Sequence, residues 1–157
     1  MPTAADKIHL QIRRGELRDA ATIAVYMIRL AWETEEYRLN PCAVERGVRA
    51  ALLDENKGVY FVATVGGSVV GCLMITREWS DWRDGWILWI QSVYVHQEFR
   101  RKGIFAALYE HVRQYARDEQ ALSIRLYVDT ENASAQEAYL KLGMKLSNYR
   151  VMDVSLD

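Results

Sequence analysis

Apolar and polar residues alternate along several short stretches of this chain, which is the pattern of half-buried β-strands. The alternation is clear at Ile8–Arg13 and again at Leu122–Val128. Val59–Val65 and Ser68–Thr76 are rich in β-branched residues and flank a Gly-Gly pair, a strong signal for a two-residue hairpin turn. The pattern therefore predicts a first strand, a central hairpin and a late strand.

Other stretches repeat their apolar residues at helical spacing. Glu16–Ala31 is one such stretch, and a second helix is predicted to begin at Asn40-Pro41, where Asn is a good cap and Pro suits the first helical position. A third helix carries apolar residues every third or fourth position through Arg117, and a fourth ends before Gly143. The segment between the first two helices is aromatic and acidic.

The order of these elements is strand, helix, helix, three strands, helix, strand, helix and then one or two strands in Lys145–Leu156. This order predicts an α/β fold in a single domain spanning residues 1–157, with a mixed central sheet of about six to seven strands and about four helices. The crossover from strand Trp86–Val95 through the third helix to Val128 predicts that these two strands are parallel.

A charged turn joins Trp86–Val95 to the third helix. It contains Arg100–Lys102 and then Gly103, directly before the apolar helical stripe begins at Ile104. A helix N-terminus presents unpaired backbone N–H groups and a partial positive charge, so it can hold a phosphate. Three cations beside it strengthen this attraction, and the turn is predicted to bind a phosphate-bearing ligand.

Composition narrows the function classes. The formal net charge is −1, whereas general nucleic-acid binding is usually accompanied by a basic excess, so we expect no nucleic-acid partner. Cys42 and Cys72 are far apart and form no metal-spaced pair, so no metal site is expected. No stretch reaches the ~18 apolar residues of a membrane span, and the N-terminus does not look like a signal peptide. These observations predict a cytoplasmic protein without a membrane partner.

The charged turn and the fourth helix together resemble the GNAT superfamily of N-acetyltransferases, which use acetyl-CoA. The family's phosphate loop, Arg/Gln-x-x-Gly-x-Gly/Ala, follows a strand that ends in Val-x-Val. The matching residues here are Val93-Tyr94-Val95 and Arg100-Arg101-Lys102-Gly103-Ile104-Phe105. The family's second signature is an Asn that opens a helix, a Tyr seven residues later and then Leu-Gly-Phe. Asn132, Tyr139 and Leu142-Gly143-Met144 match it.

The resemblance implies an acetyl-CoA-dependent N-acetyltransferase acting on a primary amine, with direct transfer while both substrates are bound. It implies Tyr139 as the general acid for the departing CoA thiolate, and a backbone N–H of the Trp86–Val95 strand as the oxyanion donor. The implied cofactor contacts are Val93, Tyr94, Val95, Arg100, Arg101, Lys102, Gly103, Ile104, Phe105, Asn132, Ala135 and Tyr139. A homodimer is expected by analogy with the family.

Two residues depart from the family pattern. Phe105 stands where Gly or Ala is usual, although its N–H can still serve a phosphate if the ring points into the core. Gln91 stands near the position where many relatives have a Glu that acts as base. A neutral amide cannot accept that proton. Gln91 is therefore expected to position substrate or water, and the general base stays open among Glu33, Glu35, Glu36, Asp81 and Asp84.

The aromatic and acidic residues outside the loop predict an acceptor site for a cationic small-molecule amine, through cation–π contacts and ion pairs. The candidate substrate-binding residues are Trp32, Glu33, Glu36 and Trp82. Three alternatives stay open: a non-catalytic acyl-CoA sensor, an acyltransferase that uses another acyl chain or a hydroxyl acceptor, and an enzyme that acetylates a protein N-terminus or lysine.

Overall fold

One mixed β-sheet organises the chain in a computed structural model that describes residues 9–157. Its five strands lie in the same order in space as in sequence: β1 (Leu10–Arg14), β2 (Val59–Val65), β3 (Ser68–Ser80), β4 (Gly85–Val95) and β5 (Ser123–Leu126). The first three pairings are antiparallel, and β4 pairs with β5 in parallel, as the crossover predicted. The helices in this range are α1 (Ala20–Glu35), α2 (Pro41–Leu53), α3 (Ile104–Asp118) and α4 (Ala133–Lys141).

The chain divides into two compact units between Leu126 and Tyr127. The first unit contains the whole sheet with α1, α2 and α3, and the second, Tyr127–Asp157, contains α4. The α/β class and the four helices agree with the prediction from sequence.

Helices pack on both faces of the sheet in the first unit. Val62, Cys72 and Tyr94 are direct cross-strand neighbours on β2, β3 and β4, and they belong to the buried cluster beneath α1 and α2. The adjacent Phe61 points to the opposite face, where its ring meets His111 of α3 at a centroid distance of 4.9 Å. Burial on both faces explains why β2 is almost continuously apolar rather than alternating.

Local signals in the sequence explain several boundaries. Asn40 caps α2, since its side-chain oxygen accepts hydrogen bonds from the N–H groups of Cys42 and Ala43. Gly66 and Gly67 both have positive φ, +57° and +82°, as the tight turn between β2 and β3 requires. Both predictions are confirmed.

The predicted sheet of six to seven strands is wrong, because residues 9–157 form a sheet of five strands and Lys145–Leu156 forms no strand. The apolar side chains of that segment are exposed, among them Val151 (66%) and Val154 (78%). Alternation alone does not make a strand, which also needs a neighbouring strand for its backbone groups and a face to bury.

Several element boundaries also differ from the prediction. Helix α1 begins after a short 3-10 turn and continues to Glu35, so Trp32 and Glu33 lie on the helix rather than in a connecting segment. The hairpin β3–β4 extends to Ser80, past the predicted end at Thr76, and β5 is limited to Ser123–Leu126. Ile8, the first residue of the predicted first strand, lies outside the described residues.

Candidate functional site

The turn that follows β4 has a backbone shaped for the start of a helix. After Val95, the Nδ1 atom of His96 accepts a hydrogen bond from the N–H of Glu98 at 3.3 Å and opens a 3-10 turn. Arg101 then adopts φ +61° and Gly103 φ +79°, and α3 begins at Ile104. A non-glycine residue in the left-handed region costs about 1–2 kcal/mol, so the fold holds Arg101 there against an intrinsic preference.

This loop has the features of an anion site. The first N–H groups of an α-helix have no carbonyl partner within the helix, and α3 has 15 residues to sustain its dipole. A Cβ atom built on Gly103 would meet nothing within 4 Å, so the space beside this backbone is open. Ile104 is a buried residue, 2% exposed, so its side chain packs into the core at the start of the helix. Arg101 and Lys102 are exposed beside it.

Arg100 is tied to neighbouring groups on three sides. Its Nε donates to the carbonyl oxygen of Val95 at 2.9 Å, and its Nη2 donates to Glu33 Oε2 at 2.5 Å. The guanidinium carbon also lies 5.3 Å from the ring centroid of Tyr94. The other Glu33 oxygen accepts from the hydroxyl of Tyr94 at 3.0 Å. Residues of α1, β4 and the loop therefore share one polar network.

Tyr94 anchors this network in the core. It is 3% exposed, and its ring lies 4.9 Å from that of Tyr26 on α1, measured between centroids. Burial of the phenol, together with its hydrogen bond to the Glu33 carboxylate, raises the pKa of Tyr94 above its ordinary value. The flanking residues Val93 and Val95 are half-buried.

An open cleft of about 520 Å³ lies beside this network. Its lining residues are Trp32, Glu33, Glu36, Gln97 and Arg100. Three of the four predicted substrate residues are thus brought together, next to a predicted phosphate ligand. The fourth, Trp82, is in the turn between β3 and β4 with its side chain 91% exposed, and it does not line the cleft.

Gln91 lies at an irregularity in the sheet. Met74 pairs with Ser92 and Ile75 pairs with Ile90, so Gln91 is the extra residue of a β-bulge. Its Nε2 donates to Thr76 Oγ1 at 2.7 Å, and the side chain is exposed. The parallel pairing of β4 with β5 ends at Ile90, so the rest of β4 is hydrogen-bonded to a strand on its β3 side only, within the described sheet. The other edge presents backbone N–H and C=O groups.

The predicted residues of the second unit lie on or before α4. Asn132 is the helix cap, because its Oδ1 accepts from the N–H of Ala135 at 3.0 Å. Gly143 follows the helix with φ +89°, as predicted. Tyr139 is half-buried, and burial raises the pKa of its phenol above the ordinary value. A neutral hydroxyl is therefore retained throughout the physiological range.

Two parts of the site escaped sequence reasoning. Gln97 lines the cleft and Thr76 bonds Gln91, although neither stands in a patterned position. The continuation of α1 through Trp32 and Glu33 was also missed, although Trp32 follows Ile28 at helical spacing. Its end is marked only by Glu36, which adopts a left-handed φ of +52°. Such a residue gives no sequence signal as glycine would.

Metal ligands, cysteines and membrane-spanning helices were the remaining features that could bear on function in residues 9–157. No group of three or more His, Cys, Asp or Glu side chains there could hold a metal ion. Cys72 is buried, which raises its thiol pKa to about 12, and Cys42 is exposed. In the same range, no helix has the length and apolar character needed to cross a membrane.

Comparisons with known proteins converge on one family. The sequence model of the acetyltransferase (GNAT) family matches residues 24–144. A possible acetyltransferase from Clostridium difficile 630, of solved structure, is 44% identical and has a TM-score of 0.89 over 94% of this chain and 98% of that chain. Streptothricin acetyltransferase from Escherichia coli is 30% identical over 93 residues, which are 59% of this chain and 50% of that enzyme.

A more distant structure shares the fold. An aminoglycoside N-acetyltransferase solved in complex with CoA is 15% identical, with a TM-score of 0.78 over 95% of this chain and 96% of that chain. The matched stretch spans about half the length, or less, of the curated relatives.

Proposed function

Because this chain belongs to the GNAT acetyltransferase family, we propose that it moves the acetyl group of acetyl-CoA to the primary amine of a small molecule. Transfer is direct, with both substrates bound at once. The observation that carries this proposal is the loop between β4 and α3, where two left-handed residues, Arg101 and Gly103, lead into a helix N-terminus.

The loop residues fit the pyrophosphate of CoA. Backbone N–H groups of Arg101 to Ile104 donate to phosphate oxygens, and the open space beside Gly103 lets the chain approach them closely. Arg101 and Lys102 supply positive charge. Along β4, the edge from Val93 to Val95 offers backbone groups to the amides of the pantetheine arm. Bound acetyl-CoA supplies a thioester-activated acetyl group.

Tyr139 is proposed to stabilise the departing thiolate. Its reference pKa is about 10 and that of a thiol about 8.5, so full proton transfer from the phenol is uphill by about 2 kcal/mol. Burial raises the phenol pKa further. Tyr139 therefore acts first as a hydrogen-bond donor whose contribution depends on close geometry. Asn132 and Ala135 complete the proposed cofactor contacts in this segment.

The acceptor is proposed to be a cationic amine that enters the cleft on the α1 side. Trp32 provides an aromatic face and Glu36 a carboxylate there. A relative at 30% identity is named for streptothricin, and a structural neighbour for aminoglycosides, which supports a small-molecule acceptor. Because Gln91 is neutral, it orients the amine or a water, and proton removal from the amine falls to a carboxylate or a water chain.

The same neutral Gln91 favours one alternative, an acyl-CoA sensor without catalysis. A sensor would bind CoA and release no thiol with any amine.

We extend the proposal to one acetyltransferase domain over residues 1–157, acting in the cytoplasm as a homodimer. Light scattering coupled to size exclusion should then give twice the chain mass of 18.2 kDa.

The experiment that tests the function is thiol release from acetyl-CoA across a panel of aminoglycosides, streptothricin, polyamines, aromatic amines and amino acids. We expect release above the hydrolytic background with at least one small amine. If none of these amines supports release but an added set of peptides does, the acceptor is a protein. Tight CoA binding with no release from the panel would favour the sensor. Parallel assays with longer acyl-CoAs establish the chain-length preference.

A further inference from the structure

The carboxylate of Glu33 is bonded at both oxygens to the cofactor side of the site. Oε2 accepts from Arg100 Nη2 and Oε1 accepts from the hydroxyl of Tyr94. Glu33 lies 67 residues before Arg100 in the chain, so the contact joins the end of α1 to the loop before α3. Both partners are partly exposed, with side-chain exposures of 41% for Arg100 and 36% for Glu33.

We propose that Glu33 is a positioning residue of the loop between β4 and α3. Its carboxylate is the counter-ion of Arg100, and it competes with the pyrophosphate of CoA for that guanidinium. Glu33 is then not the residue that binds the amine substrate. This inference rests on the proposed function, because it takes the anion at the loop to be the pyrophosphate of CoA.

Competition follows from the donors of Arg100. Nε is engaged with the carbonyl of Val95, and Nη2 faces Glu33, so two sides of the guanidinium fork are occupied. Carboxylate and phosphate seek the same planar fork. A phosphate approaching Arg100 either displaces Glu33 or lies near its negative charge, and both outcomes weaken the binding of the anion.

Tyr94 prevents Glu33 from moving away freely. Its ring is buried against Tyr26, so the hydroxyl that bonds Glu33 is fixed in place. The cleft also contains Glu36, whose carboxylate forms no ion pair within residues 9–157. Glu36 is therefore the carboxylate of the cleft that is available for a cationic acceptor, whereas Glu33 is committed to the loop.

Calorimetric titration of CoA into the full chain tests the assignment. Glu33→Gln removes the competing charge and keeps the shape, so we expect the Kd for CoA to fall about threefold to fivefold, the range of a partly exposed ion pair. In 1 M NaCl this gain should shrink, since salt screens exposed charges. The matched control is Glu98→Gln, the same charge change two residues before Arg100, at a carboxylate without an ion pair in the described chain. We expect it to change the Kd less than twofold.

The direction of the change decides the question. If Glu33 only stabilised the conformation of the loop, its replacement would weaken CoA binding. A Kd for Glu33→Gln that equals or exceeds the wild-type value overturns the proposal, and so does an equal gain in Glu98→Gln. Glu33→Ala provides a second variant, and thermal melting confirms that each is folded. Wild-type protein that binds no CoA would instead refute the proposed function.

Discussion

At the scale of single residues, the positions that matter most are those whose backbone or burial departs from the ordinary. Gly103 has φ +79°, a conformation that a β-branched residue adopts at a cost, and it lies where the loop is proposed to meet pyrophosphate. Tyr139 is half-buried on α4, where burial raises its phenol pKa. Each gives a separate prediction.

Replacing Gly103 with valine should weaken CoA binding about tenfold or more. The new side chain disfavours the left-handed backbone and fills the open space beside the loop, while no protein atom within 4 Å of the new Cβ clashes with it. Calorimetric titration of CoA measures the effect. Gly47→Ala, on the exposed surface of α2 where a Cβ also meets nothing, is the control and should bind normally. Unchanged affinity in Gly103→Val would refute the loop assignment.

Replacing Tyr139 with phenylalanine should lower kcat about tenfold to a hundredfold, at the lower end of or below the effect of a full general acid, because Tyr139 acts first as a hydrogen-bond donor. The KM for acetyl-CoA should change little, because the ring is kept. Since burial raises the phenol pKa, the neutral donor persists below that value and is lost only as the pH rises through it. The wild-type rate should therefore show no alkaline decline from this group below about pH 10. Unaltered turnover in the variant would exclude the role.

At the scale of elements, a partly buried ion pair between Arg13 and Asp19 connects the start of α1 to the first strand. Asp19 is 5% exposed, and its carboxylate receives two hydrogen bonds from Arg13, at 2.8 and 2.9 Å, and one from the N–H of Glu16 at 2.8 Å. Burial is the largest single influence and raises the pKa of Asp19. The hydrogen bonds and the charge of Arg13 together outweigh it, and the net pKa is lowered.

This pair predicts how stability depends on pH. The pKa of an Asp carboxyl in the unfolded chain is near 4. A carboxyl whose pKa is lower than this in the folded protein stabilises the fold fully at pH values above the unfolded pKa. The contribution is lost as the pH falls through the lower, folded pKa. Asp19→Ala should cost about 2–4 kcal/mol in the free energy of unfolding at pH 7, because it removes the shorter ion pair of Arg13 and leaves the longer one to Glu16, at 3.9 Å. The difference from wild type should narrow toward pH 2 in urea unfolding. A constant difference across this range would contradict the account.

The elements also show how far the sequence could be interpreted. The central hairpin, the cap at Asn40 and the parallel β4–β5 pair were predicted because each depends on local chemistry or on a general rule of connection. The prediction of a strand in Lys145–Leu156 was wrong, because alternation in a sequence gives no information on whether a partner strand is present. The contact of Arg100 with Glu33 could not be foreseen, since it joins side chains 67 residues apart through the packing of α1 on β4.

At the scale of the whole molecule, the central claim is that this chain carries an acetyl group from acetyl-CoA to an amine. The measurement that tests it most directly follows acetyl-CoA labelled with ¹³C in the acetyl group, in the presence of the best amine from the panel. We predict that mass spectrometry will find the label on the amine, in one-to-one ratio with the thiol released, and that Gly103→Val will slow both together at low acetyl-CoA. Thiol release with the label recovered only as free acetate, or no release with any amine despite saturated CoA binding, would contradict the account.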